Sequence, residues 1–168
     1  LNQENGLQNN TVLSLVEDQD HNLWAGLDKG IDLVEIRSPL TYFSDHSGKT
    51  GTIYAAALFE NRLYIGTNHG VFYSDWPHGK TPFQLLDGTQ GQVWELQVFD
   101  GQLLCGHNNG TFLLEDGKAR KISQITGGWK TVRHPGRPDL LVQGSYNGIV
   151  IFKKDAGGRW AFSHRADG

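Results

Sequence analysis

A pair of glycines separated by three residues occurs four times in this chain, at Gly26/Gly30, Gly66/Gly70, Gly106/Gly110 and Gly144/Gly148, with steps of 40, 40 and 38 residues. Each pair has the same surroundings. An apolar run leads in, as in Leu63-Tyr64-Ile65 or Leu103-Leu104-Cys105, and another leads out, as in Val71-Phe72-Tyr73 or Ile149-Val150-Ile151. Between the glycines stand polar turn formers, such as Thr67-Asn68-His69 or His107-Asn108-Asn109. A near-constant period of about 40 residues means one supersecondary unit used repeatedly, which restricts the chain to an architecture of stacked repeats.

Each copy reads as a hairpin. The second glycine supplies the positive φ that a short connection needs. The first lies inside a strand, where glycine marks the close approach of another backbone. A strand is expected before each hairpin, at Val12–Glu17, Ile53–Phe59, Val93–Phe99 and Trp129–His134. Another is expected after each, at Thr41–Ser44, Phe83–Leu86, Ala119–Ser123 and Trp160–Ser163. No segment keeps a 3.6-residue apolar period, so a helical solenoid is excluded. Four strands per unit of this size is the blade of a β-propeller. The reading is an all-β chain, a β-propeller fragment of four four-stranded antiparallel blades. The blades are placed at residues 1–50, 51–91, 92–127 and 128–168, all within one propeller segment.

A blade has two apolar faces, and its neighbours must cover both. The expected partners are therefore the remaining propeller blades of a full-length protein and a second copy of the chain in a homodimer. The lack of methionine, and a start at Leu1-Asn2-Gln3-Glu4 without a basic-then-apolar pattern, also read as a segment of something longer.

Composition narrows the function. The 22 glycines agree with many tight turns. The net charge is −3 and the 15 basic residues are scattered, so the segment is not expected to bind nucleic acid. Cys105, the single cysteine, lies in an apolar run and reads as a small buried hydrophobe. The seven histidines form no ligand-spaced cluster with cysteine, so no metal and no cofactor are expected. Gly144-Ser145 lacks the glycine two residues on that a nucleophile elbow needs, and it lies in a repeat hairpin. No carboxylate pair stands out by spacing. The segment is read as not enzymatic.

The stretch from Gly6 to Gly26 carries a denser pattern. Gly6-Leu7 is followed by Asn10 and Val12, then by Glu17-Asp18-Gln19-Asp20-His21-Asn22, then by Leu23-Trp24-Ala25-Gly26. It resembles the two-component regulator propeller repeat, G-L-x-x-N-x-V, then E-D-x-D-G-N, then L-W-x-G. His21 stands where that pattern has glycine. The later blades share only the L-[WYL]-x-G-x-x-x-G core or part of it. The resemblance implies the sensor region of a bacterial two-component or triple-tyrosine regulator. Such a region lies outside the cytoplasmic membrane, in the periplasm. The output, a histidine kinase or a DNA-binding module for transcription regulation, would be elsewhere in the full-length protein. The resemblance also implies sensing of glycans or their breakdown products. The alternative is a non-catalytic interaction or dimerisation scaffold.

In a propeller, the connections from strand two to strand three share one end with the connections between blades, and ligands commonly use that end. The candidate ligand-binding residues are Tyr54, His69, Trp94, His107, Asn109, Trp129 and Tyr146. Asp28, Lys29, Asn68, Asn108 and Asn147 accompany them on the turns, and Thr89, Gln90, Gln92 and Lys130 on the connections. Aromatic faces interleaved with amides suit a sugar, which offers both C–H faces and hydroxyls. The competing reading makes Tyr54 and Trp94 packing residues between blades and the polar residues simple turn formers. Trp24 aligns with Tyr64, Leu104 and Val142 and reads as core.

Overall fold

The computed structural model describes residues 1–38, 48–77 and 82–166. Apart from a 3-10 turn at Gln3–Asn5, the described residues form only strands and their connections. None forms a helix long and apolar enough to cross a membrane. The fifteen strands among the described residues make four antiparallel sheets, each a meander in sequence order. The chain divides into two compact units, Leu1–Ser44 and Asp45–Gly168.

The first unit holds β1 (Val12–Glu17), β2 (Leu23–Leu27) and β3 (Ile31–Val34). The fourth strand expected at Thr41–Ser44 lies outside the described residues. The acidic turn between β1 and β2 has a physical reason for its residue types. Asp18 Oδ1 accepts the backbone N–H of Asp20 and of Asn22, both at 2.9 Å, and Oδ2 accepts Trp24 Nε1–H at 3.0 Å. These donors, the Asn22 amide foremost, hold the Asp18 carboxyl below the usual carboxylate range. His21 adopts φ 64°, the left-handed region in which glycine is unstrained. That accounts for glycine in the repeat pattern at this place. Upstream, Gln8 donates from its backbone N and its Nε2 to the Asp32 carboxylate at 2.8 and 2.7 Å, tying the leading segment to β3. Trp24 departs from expectation. It is 43% exposed, and its indole serves the Asp18 turn rather than a core.

The second unit contains three blades. Blade 2 is β4 (Ile53–Phe59), β5 (Arg62–Thr67), β6 (Val71–Asp75) and β7 (Gln84–Leu85). Blade 3 is β8 (Val93–Phe99), β9 (Gln102–His107), β10 (Gly110–Glu115) and β11 (Lys118–Ser123). Blade 4 is β12 (Lys130–His134), β13 (Arg137–Ser145), β14 (Gly148–Lys154) and β15 (Trp160–Arg165). The first strand of each blade is its inner edge, and β8 lies between β4 and β12.

Blade 3 is covered on both sides, and strand alternation sorts its residues between two cores. Leu103, Cys105, Phe112 and Leu114 pack with Tyr64, Val71 and Leu86 of blade 2. Leu104 and Leu113 point the other way and pack with Leu141, Val150, Phe152 and Trp160 of blade 4. This is why both middle strands of blade 3 read as continuous apolar runs. Cys105 is fully buried, and burial pushes its thiol far above the ordinary value, so it stays protonated.

Polar side chains meet across the interface between blades 3 and 4 in hydrogen-bonded pairs. Thr111 Oγ1 donates to Gln143 Oε1 at 2.7 Å, and Gln143 Nε2 donates to Thr131 Oγ1 at 2.9 Å. At the far end of this interface, Asp100 accepts from Arg133 Nη2 and Lys154 Nζ, both at 2.7 Å. The Lys154 bond, followed by that of Arg133, holds the Asp100 carboxyl below its usual range. A lowered carboxyl contributes stability above its unfolded value, near pH ~4, and loses it as pH falls through the folded one.

The first glycines have distinct neighbours. A Cβ on Gly66 would collide with the Val93 side chain, and one on Gly106 with the Gly128 carbonyl oxygen; both obstacles belong to the next blade. At Gly144 the same addition meets nothing within 4 Å. The second glycines Gly70, Gly110 and Gly148 adopt φ of 147°, 130° and 102°.

Candidate functional site

The first strands of the first three blades share one irregularity. The register shifts between Val12 and Ser14, between Ile53 and Ala55, and between Val93 and Glu95. The extra residue is Leu13, Tyr54 or Trp94, one step before the residue opposite the first glycine: Ser14, Ala55 or Glu95. In blade 4, Lys130 stands opposite Gly144, which places Trp129 at the same position; its N–H donates to the Gly144 carbonyl at 3.0 Å. A bulge re-aims the side chain it carries. Three consecutive blades therefore present an aromatic ring at one level of their inner strands.

These rings touch. Tyr54 meets Trp94 edge-on, with centroids 5.8 Å apart at 68°. Trp94 stacks on Trp129 at 4.0 Å and 22°. Trp129 meets Tyr146 at 5.5 Å and 83°. Tyr146 comes from the turn between β13 and β14, and its hydroxyl donates to Asn108 Oδ1 at 3.0 Å on the corresponding turn of blade 3. The result is a row of four rings across three blades. Tyr54 and Tyr146, at its ends, are half exposed, Trp129 is exposed at 43%, and Trp94 is half-buried. The stacked pair uses one face of each indole on the other. A ligand would meet chiefly Trp129 and the two tyrosines.

The remaining candidates divide. Asn109 is exposed on the β9–β10 turn, beside Asn108. His69 is exposed on the β5–β6 turn, and its Nδ1 donates to the Lys49 carbonyl at 3.1 Å; among the described residues no ring contact joins it to the row. His107 does not belong to an accessible site. It is 1% exposed, Nε2 donates to the Thr89 carbonyl at 3.2 Å, and Nδ1 accepts the Asn109 N–H at 2.9 Å. Burial lowers its pKa, so it remains neutral. With Thr67 and Ser145 at the same repeat position it shares one role: each closes its turn by accepting the N–H two residues on, from Asn109, His69 and Asn147 respectively. Thr89 is likewise buried, accepting the Val71 N–H and donating to the Leu86 carbonyl.

One residue beside the row escaped sequence reasoning. Glu95 follows Trp94, and its side chain is 7% exposed; its Oε1 lies 2.7 Å from Lys130 Nζ and its Oε2 accepts the Thr131 N–H at 2.6 Å. A lone acid inside the apolar strand Val93–Phe99 was the available signal.

Concavities lie elsewhere. One of about 590 Å³ sits at the opposite end of the strands, lined by turn residues Glu60, Asn61 and Asp116 with Arg62, Asp75 and Trp76. Its Arg62 is engaged by Asp75 at 3.6 Å and lies over the Tyr73 ring, so its charge is already used. Among the described residues, no three His, Cys, Asp or Glu side chains group to hold a metal ion.

Comparison with known proteins gives one family match. Residues 6–29 match the two-component regulator propeller model. No curated protein matches the chain. Among solved structures, the computationally designed Ika8 protein is similar with 17% identity and a TM-score of 0.49, over 96% of this chain and 52% of that one. The extracellular domain of a putative one-component system from B. thetaiotaomicron is similar with 18% identity and a TM-score of 0.48, over 91% of this chain and 21% of that one. The chain thus spans about half the length of the designed protein and about a fifth of the bacterial domain. The Asp18 turn, the left-handed His21 and Gly26 fall within the matched residues, so it is the first blade of this chain that is similar to the two-component regulator propeller repeat.

Proposed function

We propose that the chain is the ligand-sensing propeller segment of an extracytoplasmic, periplasmic receptor region in two-component signal transduction, and that its ligand is a glycan or a glycan breakdown product. The match at residues 6–29 supports the receptor reading. The carrying observation for the ligand is the ring row Tyr54–Trp94–Trp129–Tyr146, flanked by the amides of Asn108 and Asn109. Sugars stack C–H faces on rings and give hydroxyls to amides. A ligand lying on rings from three blades favours one arrangement of those blades over others, which is the requirement for a signal. The kinase or DNA-binding output belongs to other parts of such a receptor.

Titration with mixed oligosaccharides, followed by tryptophan fluorescence, tests this. Trp129→Ala and Tyr146→Ala are each expected to weaken binding about tenfold, roughly 1.4 kcal/mol, as loss of one aromatic contact surface does. Binding without turnover is expected. Unchanged affinity in both variants would remove the ring row from the account.

The scaffold reading has its own observation. By strand alternation, Val132 and Ile149 face away from blade 3, and they are 49% and 47% exposed, beside the open space at Gly144. Another blade fits there, from the rest of the receptor or from a second copy in a homodimer. Dimerisation without saccharide binding would favour that reading.

A further inference from the structure

Among the described residues that adjoin the ring row in sequence, charges are few and balanced. The residues on either side of the four rings in sequence include one cation, Lys130, and one anion, Glu95. The strand-two-to-three turns of blades 2, 3 and 4 contain no Asp, Glu, Lys or Arg. The described residues directly before those blades, 48–52, 86–92 and 124–128, add Lys49 and Asp87, again one of each sign.

The cation next to the exposed indole in sequence is already engaged. Lys130 Nζ lies 2.7 Å from Glu95 Oε1 and donates to Gln97 Oε1 at 3.2 Å. The Glu95 side chain is 7% exposed and is also bound by the Thr131 amide. An anionic ligand could claim Lys130 only by leaving a buried carboxylate without its counter-charge, which is strongly unfavourable. What the row offers freely is neutral: ring faces, the Tyr146 hydroxyl, and the Asn108 carboxamide, whose oxygen takes the Tyr146 proton and whose NH₂ group is left to donate.

We propose that this site takes a neutral saccharide and discriminates against uronate and sulfated sugars, because Lys130, the cation beside the rings, is already held by the buried Glu95. The inference rests on the glycan reading and deepens it. The test is calorimetric titration of the full chain at low salt and at about 0.15 M salt. The probes are neutral gluco-, xylo-, manno- and galacto-oligosaccharides, set against oligogalacturonate and sulfated glycosaminoglycan fragments.

Neutral probes are expected to bind with little salt dependence, and anionic ones about tenfold more weakly or not at all. Glu95→Gln releases Lys130, so anionic binding should rise by up to about fivefold and become salt-sensitive, the range of an exposed ion pair. Lys130→Gln leaves Glu95 to the Thr131 amide and lowers stability, yet in the folded protein it should leave the weak anionic binding unchanged. Tighter, salt-sensitive binding of an anionic probe to the wild type, lost in Lys130→Gln, would overturn the inference and keep the glycan reading. Failure of every probe would overturn both.

Discussion

Trp160→Ala is expected to lower the stability of the second unit by about 3–5 kcal/mol, the range for truncating a buried tryptophan. The side chain has no exposed surface and packs with Phe99, Leu104, Leu113, Leu141, Val150 and Phe152. Its loss would open a cavity between blades 3 and 4 and leave the Phe99 carbonyl without the indole N–H that now reaches it at 3.3 Å. Arg133 and Lys154 lie over the ring at 5.7 and 5.3 Å while both pair with Asp100, so the ion triad would lose its floor as well. Urea unfolding followed by circular dichroism measures the effect. A loss below about 1 kcal/mol would mean that β15 is not seated against blade 3, because surface substitutions stay within ~0.5 kcal/mol.

The second large effect is a contrast between equivalent residues. Gly106→Ala should cost about 2–3 kcal/mol or more, since the new Cβ meets the Gly128 carbonyl oxygen and backbone on both sides resists the shift. Gly144→Ala should change stability by less than about 0.5 kcal/mol, since its Cβ meets nothing within 4 Å. Both glycines sit at the same point of the repeat, so propensity and local geometry cancel in the comparison. What remains is the neighbouring blade. Equal costs at the two positions, read from thermal unfolding, would separate the glycine pattern from blade packing.

Much of this fold is legible from the glycine pairs. Three inner strands coincide with their expected limits, Val12–Glu17, Ile53–Phe59 and Val93–Phe99. Their polar turns and apolar runs are local signals. Outer strands carry weaker ones: β7 is only Gln84–Leu85, while β11 and β15 run slightly past expectation. The four rings of the row were singled out in the sequence as residues, but their arrangement was not legible there. The bulges that level Tyr54 and Trp94 with Trp129 depend on cross-strand register, which no composition or spacing reveals. His107 looked like a ligand contact because its turn is polar. The same repeat position carries Thr67 and Ser145, and all three accept the N–H two residues on, which closes the hairpin. Trp24 aligned with apolar partners, yet Asp18 draws its indole N–H into the turn.

Successive blades in this account place equivalent residues side by side, and the Trp94–Trp129 stack at 4.0 Å is the sharpest consequence. Two indoles so close couple as excitons, giving a paired positive and negative band in far-ultraviolet circular dichroism. The spectrum is predicted to contain that couplet. Trp94→Phe and Trp129→Phe should each abolish it and give matching difference spectra, because coupling needs both rings. Two unlike difference spectra, neither containing a couplet, would place the indoles apart and contradict the stacking of consecutive blades.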